Sequence, residues 1–210
     1  TTGIPTYTEL IMGMPGETYE TTKTGMDTLI ECAPDSINLY AYVCSVLPNS
    51  EMSNPDYVKR HGIKWVRMPI MLAHSTPELE SMPEYQEVVI GTNSMTSEDW
   101  LRIYLFFWAV QMFHCLGLTQ HLAILLRNQF GIHYSDFYEK LVNHFVNQPD
   151  SMAGRQIVLT KQIVTEAMNG GRLDRVLPKF SEIYWPLEEA SFLSLITTKA
   201  EFYQEIRSWL

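Results

Sequence analysis

Cysteine is scarce and widely spaced in this sequence. Its 210 residues contain three cysteines, Cys32, Cys44 and Cys115, and no two of them are close enough to form a CxxC or CxxxCxxC metal motif. An odd number of distant cysteines also argues against the disulfide framework of a small secreted domain. Because this pattern is typical of a reducing compartment, we expect a cytoplasmic location.

Positively charged residues are also few. The chain has 15 Lys and Arg residues against 24 Asp and Glu residues, a net charge of −9, and it contains no dense basic run. Nucleic acids are bound mainly through clustered Lys and Arg, so this composition disfavours a nucleic-acid partner. The hydrophobic fraction of 46% is nevertheless large enough for a real core, which argues against a disordered chain.

A clean transmembrane segment is also missing. The most apolar stretch runs from Leu101 to Leu118, but Arg102, Gln111 and His114 interrupt it and no Lys/Arg-rich flank orients it. A helix that is apolar nearly all round is what the centre of a domain requires. We therefore predict a buried core helix and no membrane span.

Familiar catalytic and metal motifs are absent as well. No HExxH occurs, and His114 and His121 are separated by Gly117, so a buried or capping role for His114 is the better interpretation. Cys115 lies next to His114, which could suggest a nucleophile and its base. Adjacent side chains on a helix point apart, however, so we exclude this pair. No lysine follows the glycines of residues 13–18, which excludes a nucleotide-hydrolysing P-loop. The sequence predicts no catalytic residue and no metal ligand within this chain.

What the chain does contain is a strand, a glycine turn and a helix, in the stretch Tyr7-Thr-Glu-Leu-Ile-Met-Gly-Met-Pro-Gly-Glu-Thr18. An apolar run ends at Met12, the turn follows, and a helical pattern continues to Glu31. In α/β folds ligands bind at the carboxyl ends of strands, so a ligand-facing loop is one interpretation. A turn that needs only glycine dihedrals is the other. Glu17 begins the helix, where its carboxylate can hold neighbouring backbone N–H groups.

The rest of the chain divides into two parts. Residues 1–95 predict further strands at Ser36–Val43, Lys64–Arg67 and Glu87–Gly91, and a short helix from Pro55 that ends before Gly62. Thr96-Ser-Glu-Asp99 resembles a capping box and opens a helical part, residues 96–210. After the core helix, helices are predicted at about Leu122–Phe130, Asp136–Asn147 (capped by Ser135), Met152–Met168 and Glu188–Trp209.

Several segments, in their order, resemble the C-terminal half of a radical S-adenosylmethionine (SAM) enzyme. The segment Glu9-Leu-Ile-Met-Gly-Met-Pro-Gly-Glu-Thr18 is similar to the family's fifth-strand "LIxGLPGET", and the likeness covers roughly residues 5–118. It is greatest to the cobalamin-binding branch that includes anaerobic magnesium-protoporphyrin IX monomethyl ester cyclase-like proteins. The other segments that carry it are Asp35-Ser-Ile-Asn-Leu-Tyr40, Leu47-Pro-Asn-Ser50 (in place of "LPGT"), His61-Gly-Ile63, Thr92-Asn-Ser-Met95 and Glu98-Asp-Trp100.

This resemblance implies an α/β fold, the C-terminal part of a partial β/α (TIM-like) barrel, followed by an α-helical domain. It implies a whole enzyme that uses S-adenosylmethionine and a four-iron–four-sulfur cluster, with cobalamin as a further candidate cofactor. Reductive cleavage of the cosubstrate gives a 5′-deoxyadenosyl radical in such enzymes. The implied activity is an oxidoreductase or cyclase reaction, or a methyl transfer, on an organic small-molecule substrate for which a tetrapyrrole is one candidate.

The resemblance also implies cofactor-binding positions. Ile11 would pack near the adenine of the cosubstrate, and Gly13 would keep the end of the strand open. Gly16 and Glu17 would shape the turn, with the carboxylate one place later than in the broader family's Ile-x-Gly-x-x-Glu pattern. Leu39, Tyr40, Ala41 and Tyr42 would lie near the adenine through their backbone.

The CxxxCxxC motif, the upstream strands and the cobalamin domain of the family do not occur in these 210 residues. We therefore expect a piece of a longer enzyme that is inactive alone and holds no cofactor by itself. Its expected partners are the N-terminal half of the barrel, the substrate, and copies of the chain that pair through exposed strand edges. The alternative is a non-enzymatic helical module that binds a protein or a ligand.

Overall fold

The computed structural model describes residues 7–35, 37–77 and 84–210, which form a mixed α/β structure, as predicted. The strands are β1 (Thr8–Met12), β2 (Leu39–Val43), β3 (Lys64–Pro69), β4 (Tyr85–Gly91), β5 (Asp174–Leu177) and β6 (Ser181–Pro186). The helices are α1 (Tyr19–Cys32), α2 (Pro55–His61), α3 (Ser97–Ala109), α4 (Gln120–Phe130), α5 (Tyr134–Phe145), α6 (Met152–Ala167), α7 (Leu187–Ile196) and α8 (Lys199–Trp209). A 3-10 turn occupies Glu51–Ser53, and a π-helical turn, Val110–Cys115, continues α3.

The described strands form three two-stranded sheets. β1 and β2 are parallel, with Ile11 opposite Tyr42, whereas the pairs β3–β4 and β5–β6 are antiparallel. Beyond the end of β2, the Val89 N–H donates to the Cys44 carbonyl at 2.9 Å, which ties the first sheet to β4. A TIM-like barrel consists of parallel strands, so the pair β1–β2 is the part of this structure that fits one. The partial barrel stays a proposal.

Helix ends follow the signals in the sequence. The Asp99 backbone N–H donates to the Thr96 hydroxyl, and the Thr96 N–H donates to the Asp99 carboxylate, which is the predicted capping box at the start of α3. Asn54 caps α2, Pro55 is its first residue, and Gly62 ends it in the left-handed conformation at φ 60°. These ends were predictable because a cap depends on residues within one helical turn.

Two sequence-based expectations for the helical part were wrong, and one hairpin was not predicted. The predicted helix from Glu188 to Trp209 is broken at Thr197 into α7 and α8, and the hairpin β5–β6 precedes it without having been predicted. Ser135 does not cap α5 but lies inside it, where its hydroxyl donates to Asp27 at 2.7 Å. The predicted strand start at Ser36 lies outside the described residues.

The core crosses the boundary that the sequence suggested at residue 96. One apolar cluster contains Met12, Leu39 and Val88 together with Trp108 and Phe113 from the helical part. The predicted core helix is buried along α3 and the π-helical turn. The division into residues 1–95 and 96–210 stays a prediction, but packing joins the described residues on both sides of it.

No single helix in the described ranges is long and apolar enough to cross a membrane. The segments Ser97–Cys115 and Gln120–Phe130 are long and apolar enough only when taken together, and their axes are bent by 95° relative to each other.

Candidate functional site

The turn after β1 is held by its own glutamate. Gly13 has φ 97° and Gly16 has φ 94°, a left-handed region that L residues with side chains rarely adopt. The Gly13 N–H donates to Glu17 Oε2 at 2.7 Å, and the Thr22 hydroxyl donates to Glu17 Oε1 at 3.1 Å. The predicted role of Glu17, a carboxylate that holds a neighbouring backbone N–H, is thus present in the structure.

The loop that contains Ser94 also contacts this turn. The Gly16 N–H donates to Ser94 Oγ at 3.0 Å, and Ser94 in turn contacts Thr92 Oγ1 at 3.1 Å. Sequence reasoning did not assign Ser94 to the site. The signal for it was available, because Thr92-Asn-Ser-Met95 is one of the segments that carry the family resemblance.

Gly13 is buried and closely surrounded. A Cβ placed there would lie 3.4 Å from both Trp100 Nε1 and the Val89 carbonyl oxygen, whereas a Cβ at Gly16 would meet no atom of the described residues within 4 Å. The Trp100 indole N–H is itself buried and has no hydrogen-bond partner among the described residues. The φ angle therefore favours glycine at position 13, and the neighbouring atoms leave little room for a side chain larger than a methyl group.

Three of the predicted cofactor-binding side chains share one exposed face. Ile11 is 56% exposed, and Tyr42, opposite it on β2, is 48% exposed. Tyr40 is 45% exposed and lies two residues before Tyr42, on the same side of the strand. An apolar and aromatic patch, formed by Ile11, Tyr40 and Tyr42, therefore borders the sheet beside the glycine turn.

The other predicted positions lie elsewhere. Leu39 is buried and Ala41 is partly buried, on the face of the sheet that packs against the helices. Their side chains are therefore turned away from the patch, and the prediction for them concerned their backbone. Whether all eight positions bind a cofactor stays a prediction.

The cysteines do not assemble into a metal site. Cys32 is exposed, Cys44 is buried and Cys115 is partly buried, and the described residues contain no group of three His, Cys, Asp or Glu side chains that could hold a metal. Cys44 Sγ instead lies 3.5 Å from Met14 Sδ. Burial raises the pKa of the Cys44 thiol, and the nearby Glu17 charge raises it further, so the thiol stays protonated at neutral pH.

His114 is a structural residue, as the sequence interpretation held. It is fully buried, and its ring nitrogens lie 2.8 Å from the Tyr138 hydroxyl and 2.8 Å from the Pro34 carbonyl oxygen. Burial lowers its pKa to about 4. His121 is exposed on α4, so the two histidines do not form a shared site.

Two curated proteins resemble this chain, although no protein-family model matches it. One is the cobalamin-dependent radical SAM methyltransferase TokK of Streptomyces tokunonensis, 28% identical over 221 residues, which covers 99% of this chain and 32% of that protein. The other is the 2-(S-pantetheinyl)-carbapenam-3-carboxylate methyltransferase of Streptantibioticus cattleyicolor, 32% identical over 155 residues, which covers 73% of this chain and 22% of that protein. These similarities support the cobalamin-binding radical SAM family. The chain spans about a third or less of the length of either relative.

Proposed function

We propose that this chain forms part of the cosubstrate-binding surface of a cobalamin-dependent radical SAM methyltransferase. The observation that carries the proposal is the exposed patch of Ile11, Tyr40 and Tyr42 beside the turn of Gly13. It lies at the parallel pair β1–β2, and ligands of parallel α/β folds bind near the carboxyl ends of such strands. The names of both relatives, which are methyltransferases, support the same reaction class.

The residues of the patch fit S-adenosylmethionine. An adenine ring is flat and apolar on its faces, and aromatic side chains such as Tyr40 and Tyr42 stack on such rings. Beside them, Gly13 leaves the strand end without a side chain, and Glu17 and Ser94 fix the turn through the N–H groups of Gly13 and Gly16. A turn fixed in this way positions a ligand at little entropic cost. The bound cosubstrate would supply the methyl and radical chemistry of the reaction.

The described residues do not fit an iron–sulfur cluster, which normally requires several closely placed cysteine thiolates. We therefore propose that the cluster and cobalamin are held by other parts of a longer enzyme, and that those parts cover the patch. An organic small molecule is the proposed substrate and the cytoplasm the proposed location. Neither relative is named as a cyclase or for a tetrapyrrole, so we retain methyl transfer as the proposed reaction.

The test is a pair of glycine substitutions in the longer enzyme that contains this chain. In Gly13→Val, a β-branched residue must adopt the left-handed φ, and its side chain approaches Trp100 closely. Affinity for S-adenosylmethionine should therefore fall at least tenfold. In Gly25→Ala, the new methyl group lies in α1 with no atom from the described part of the chain within 4 Å, so affinity should not change. Binding is measured by calorimetry, and cleavage by the yield of 5′-deoxyadenosine. Unchanged affinity and cleavage in Gly13→Val would refute the assignment of this turn to the cosubstrate.

A further inference from the structure

A cavity of about 250 Å³ lies between the first sheet, α3 with its π-helical turn, and the start of α7. Met12 lines it from β1, Trp108 from α3 and Leu187 from α7. Met12 is buried and alternates along β1 with the exposed Ile11, so the cavity lies mainly on the helix-facing side of the sheet. Tyr42, a member of the patch, also lines it. Its walls are mostly apolar, as is usual for sites that bind small molecules.

Four side chains that line this cavity carry polar groups for which the described residues provide no side-chain partner. The Tyr104 hydroxyl interacts with its surroundings only through burial and the charges of Glu188 and Asp174, with no hydrogen bond in the described ranges, and the Gln111 amide lines the same cavity. Trp108 is 1% exposed, and its indole N–H is likewise unpaired there. Glu188 has no partner there other than its own backbone N–H. Among the four, the Trp108 indole N–H is fully buried, where polar groups are normally hydrogen-bonded. The other three keep accessible surface, so they are free to bind a ligand in the cavity.

The ionisable side chains that line the cavity can make it negative but not positive. Glu188 is its carboxyl group, and no Lys, Arg or His lines it in the described part of the chain. None of the residues outside the described ranges is a Lys or Arg either. Glu188 keeps some accessible surface, as a side chain that faces a cavity should, but protein surrounds it, and this burial raises its pKa to about 7. A carboxylate in such surroundings is costly unless a cation pairs with it.

We propose that this cavity binds a small organic molecule with a protonated amine that pairs with Glu188 and an apolar body that packs between Met12, Trp108 and Leu187. The unpaired donors of Tyr104, Gln111 and Trp108 would bind acceptor atoms on the same molecule. The volume suits a body of about one aromatic ring. This inference does not depend on the proposed methyltransferase function.

The neighbouring titratable groups leave Glu188 to dominate the charge of the cavity near neutral pH. Burial raises the pKa of Tyr42, Tyr104 and Cys115, so all three stay neutral there. Outside the cavity, Glu189 raises the pKa of Glu188 and His74 lowers it. These two side chains pair with each other, with His74 Nε2 at 2.7 Å from Glu189 Oε2.

The test compares benzylamine with benzyl alcohol, a neutral probe of the same size, at pH 8. The indole N–H signal of Trp108 in a nitrogen-15 NMR titration reports binding, and Trp108→Phe identifies that signal. We expect benzylamine to bind at least tenfold more tightly than the alcohol. Its affinity should fall about tenfold at pH 6, where Glu188 is mostly protonated.

Two variants separate the charge of Glu188 from general effects. Glu188→Gln should abolish the preference for the amine, whereas Glu189→Gln, one residue away, should keep it. Far-ultraviolet circular dichroism checks that both variants fold. If Glu188→Gln does not fold, the amine–alcohol comparison and its pH dependence in the unaltered protein decide the question. Equal binding of both probes, no response of the Trp108 signal to either at millimolar concentration, or an amine preference that survives in Glu188→Gln would overturn the proposal.

Discussion

The carboxylate of Glu17 accepts a hydrogen bond from the backbone N–H of Gly13 across the turn that closes β1, at 2.7 Å. The bond links the end of a strand to the start of α1, and the Thr22 hydroxyl fixes the other carboxylate oxygen. It therefore explains why a glutamate directly follows the glycines, whether or not a cofactor is bound.

Replacing Glu17 should destabilise the turn. In Glu17→Ala the partly buried Gly13 N–H loses its acceptor, so we expect the free energy of unfolding to fall by about 1–3 kcal/mol. Glu17→Gln keeps an oxygen acceptor and should lose less. Urea unfolding followed by circular dichroism measures the change. The control is Glu20→Gln, an exposed change on the next turn, and equal losses in Glu17→Ala and Glu20→Gln would contradict the role given to Glu17.

Alanine at Gly13 and at Gly16 should separate backbone strain from crowding. Both glycines have φ near 95°, so both variants incur strain of about 1–3 kcal/mol. Only the methyl group at position 13 meets the Val89 carbonyl and Trp100 at 3.4 Å. We expect Gly13→Ala to lower the unfolding midpoint in urea further than Gly16→Ala. Equal midpoints would mean that the neighbours of Gly13 move aside at no measurable cost.

The elements that could be predicted from the sequence are those set by neighbouring residues. The strand before Gly13, the capping box at Thr96 and the stop at Gly62 each depend on residues close in the chain, and each was found. The pairing of the strands that carry Ile11 and Tyr42 agrees with the family resemblance, which puts both residues near one ligand. Local chemistry and a familiar order of segments were sufficient for this part.

What could not be predicted depends on contacts between distant residues. The contact of Ser94 with Gly16 joins residues 78 positions apart, and the hydroxyl of Ser135 binds Asp27 rather than capping its own helix. The strand β6 exists because it pairs with β5, and its Tyr184 N–H also donates to the Ser75 carbonyl. Glu188 appears in the sequence only as a residue that could begin a helix, because packing alone creates the cavity that it faces.

His114 should make the protein sensitive to acid. Its pKa of about 4 in the folded state is below the ordinary value of 6.5, so its neutral form stabilises the fold at and above pH 6.5. That contribution is lost as the pH falls from 6.5 through 4. His114→Phe should lower the free energy of unfolding at pH 7.5 by about 1–3 kcal/mol, because it removes the hydrogen bonds of His114 to the Tyr138 hydroxyl and the Pro34 carbonyl. It should also remove this part of the acid sensitivity.

Chemical unfolding at pH 7.5, 5.5 and 4.5 measures the effect of His114→Phe. His121→Asn, which changes an exposed histidine, is the control and should follow the unaltered protein at each pH. A His114→Phe protein with unchanged stability at pH 7.5 would mean that the two hydrogen bonds of His114 contribute nothing.

Glu188 should act in the opposite direction. Its raised pKa of about 7 means that the folded protein holds a proton that the unfolded chain releases near pH 4.5. The stability that this proton gives is complete below pH 4.5 and is lost as the pH rises through 7. Glu188→Gln should therefore be more stable than the unaltered protein at pH 8.5, by on the order of 1–3 kcal/mol. Unfolding experiments at pH 4.5 and 8.5 test this, and a difference that does not grow with pH would show that Glu188 titrates normally.

The patch of Ile11, Tyr40 and Tyr42 should cause association when it is uncovered. Its side chains are exposed, and β1 pairs with β2 along one edge but with no described strand along the other. Open strand edges with apolar faces are association hazards. We expect sedimentation velocity at micromolar concentration to show dimers or larger species for this chain.

The double variant Ile11→Lys, Tyr42→Lys should be monomeric, whereas Leu125→Lys on α4, which changes a similarly exposed side chain, should still associate. A monomeric unaltered chain would show that the patch does not drive association.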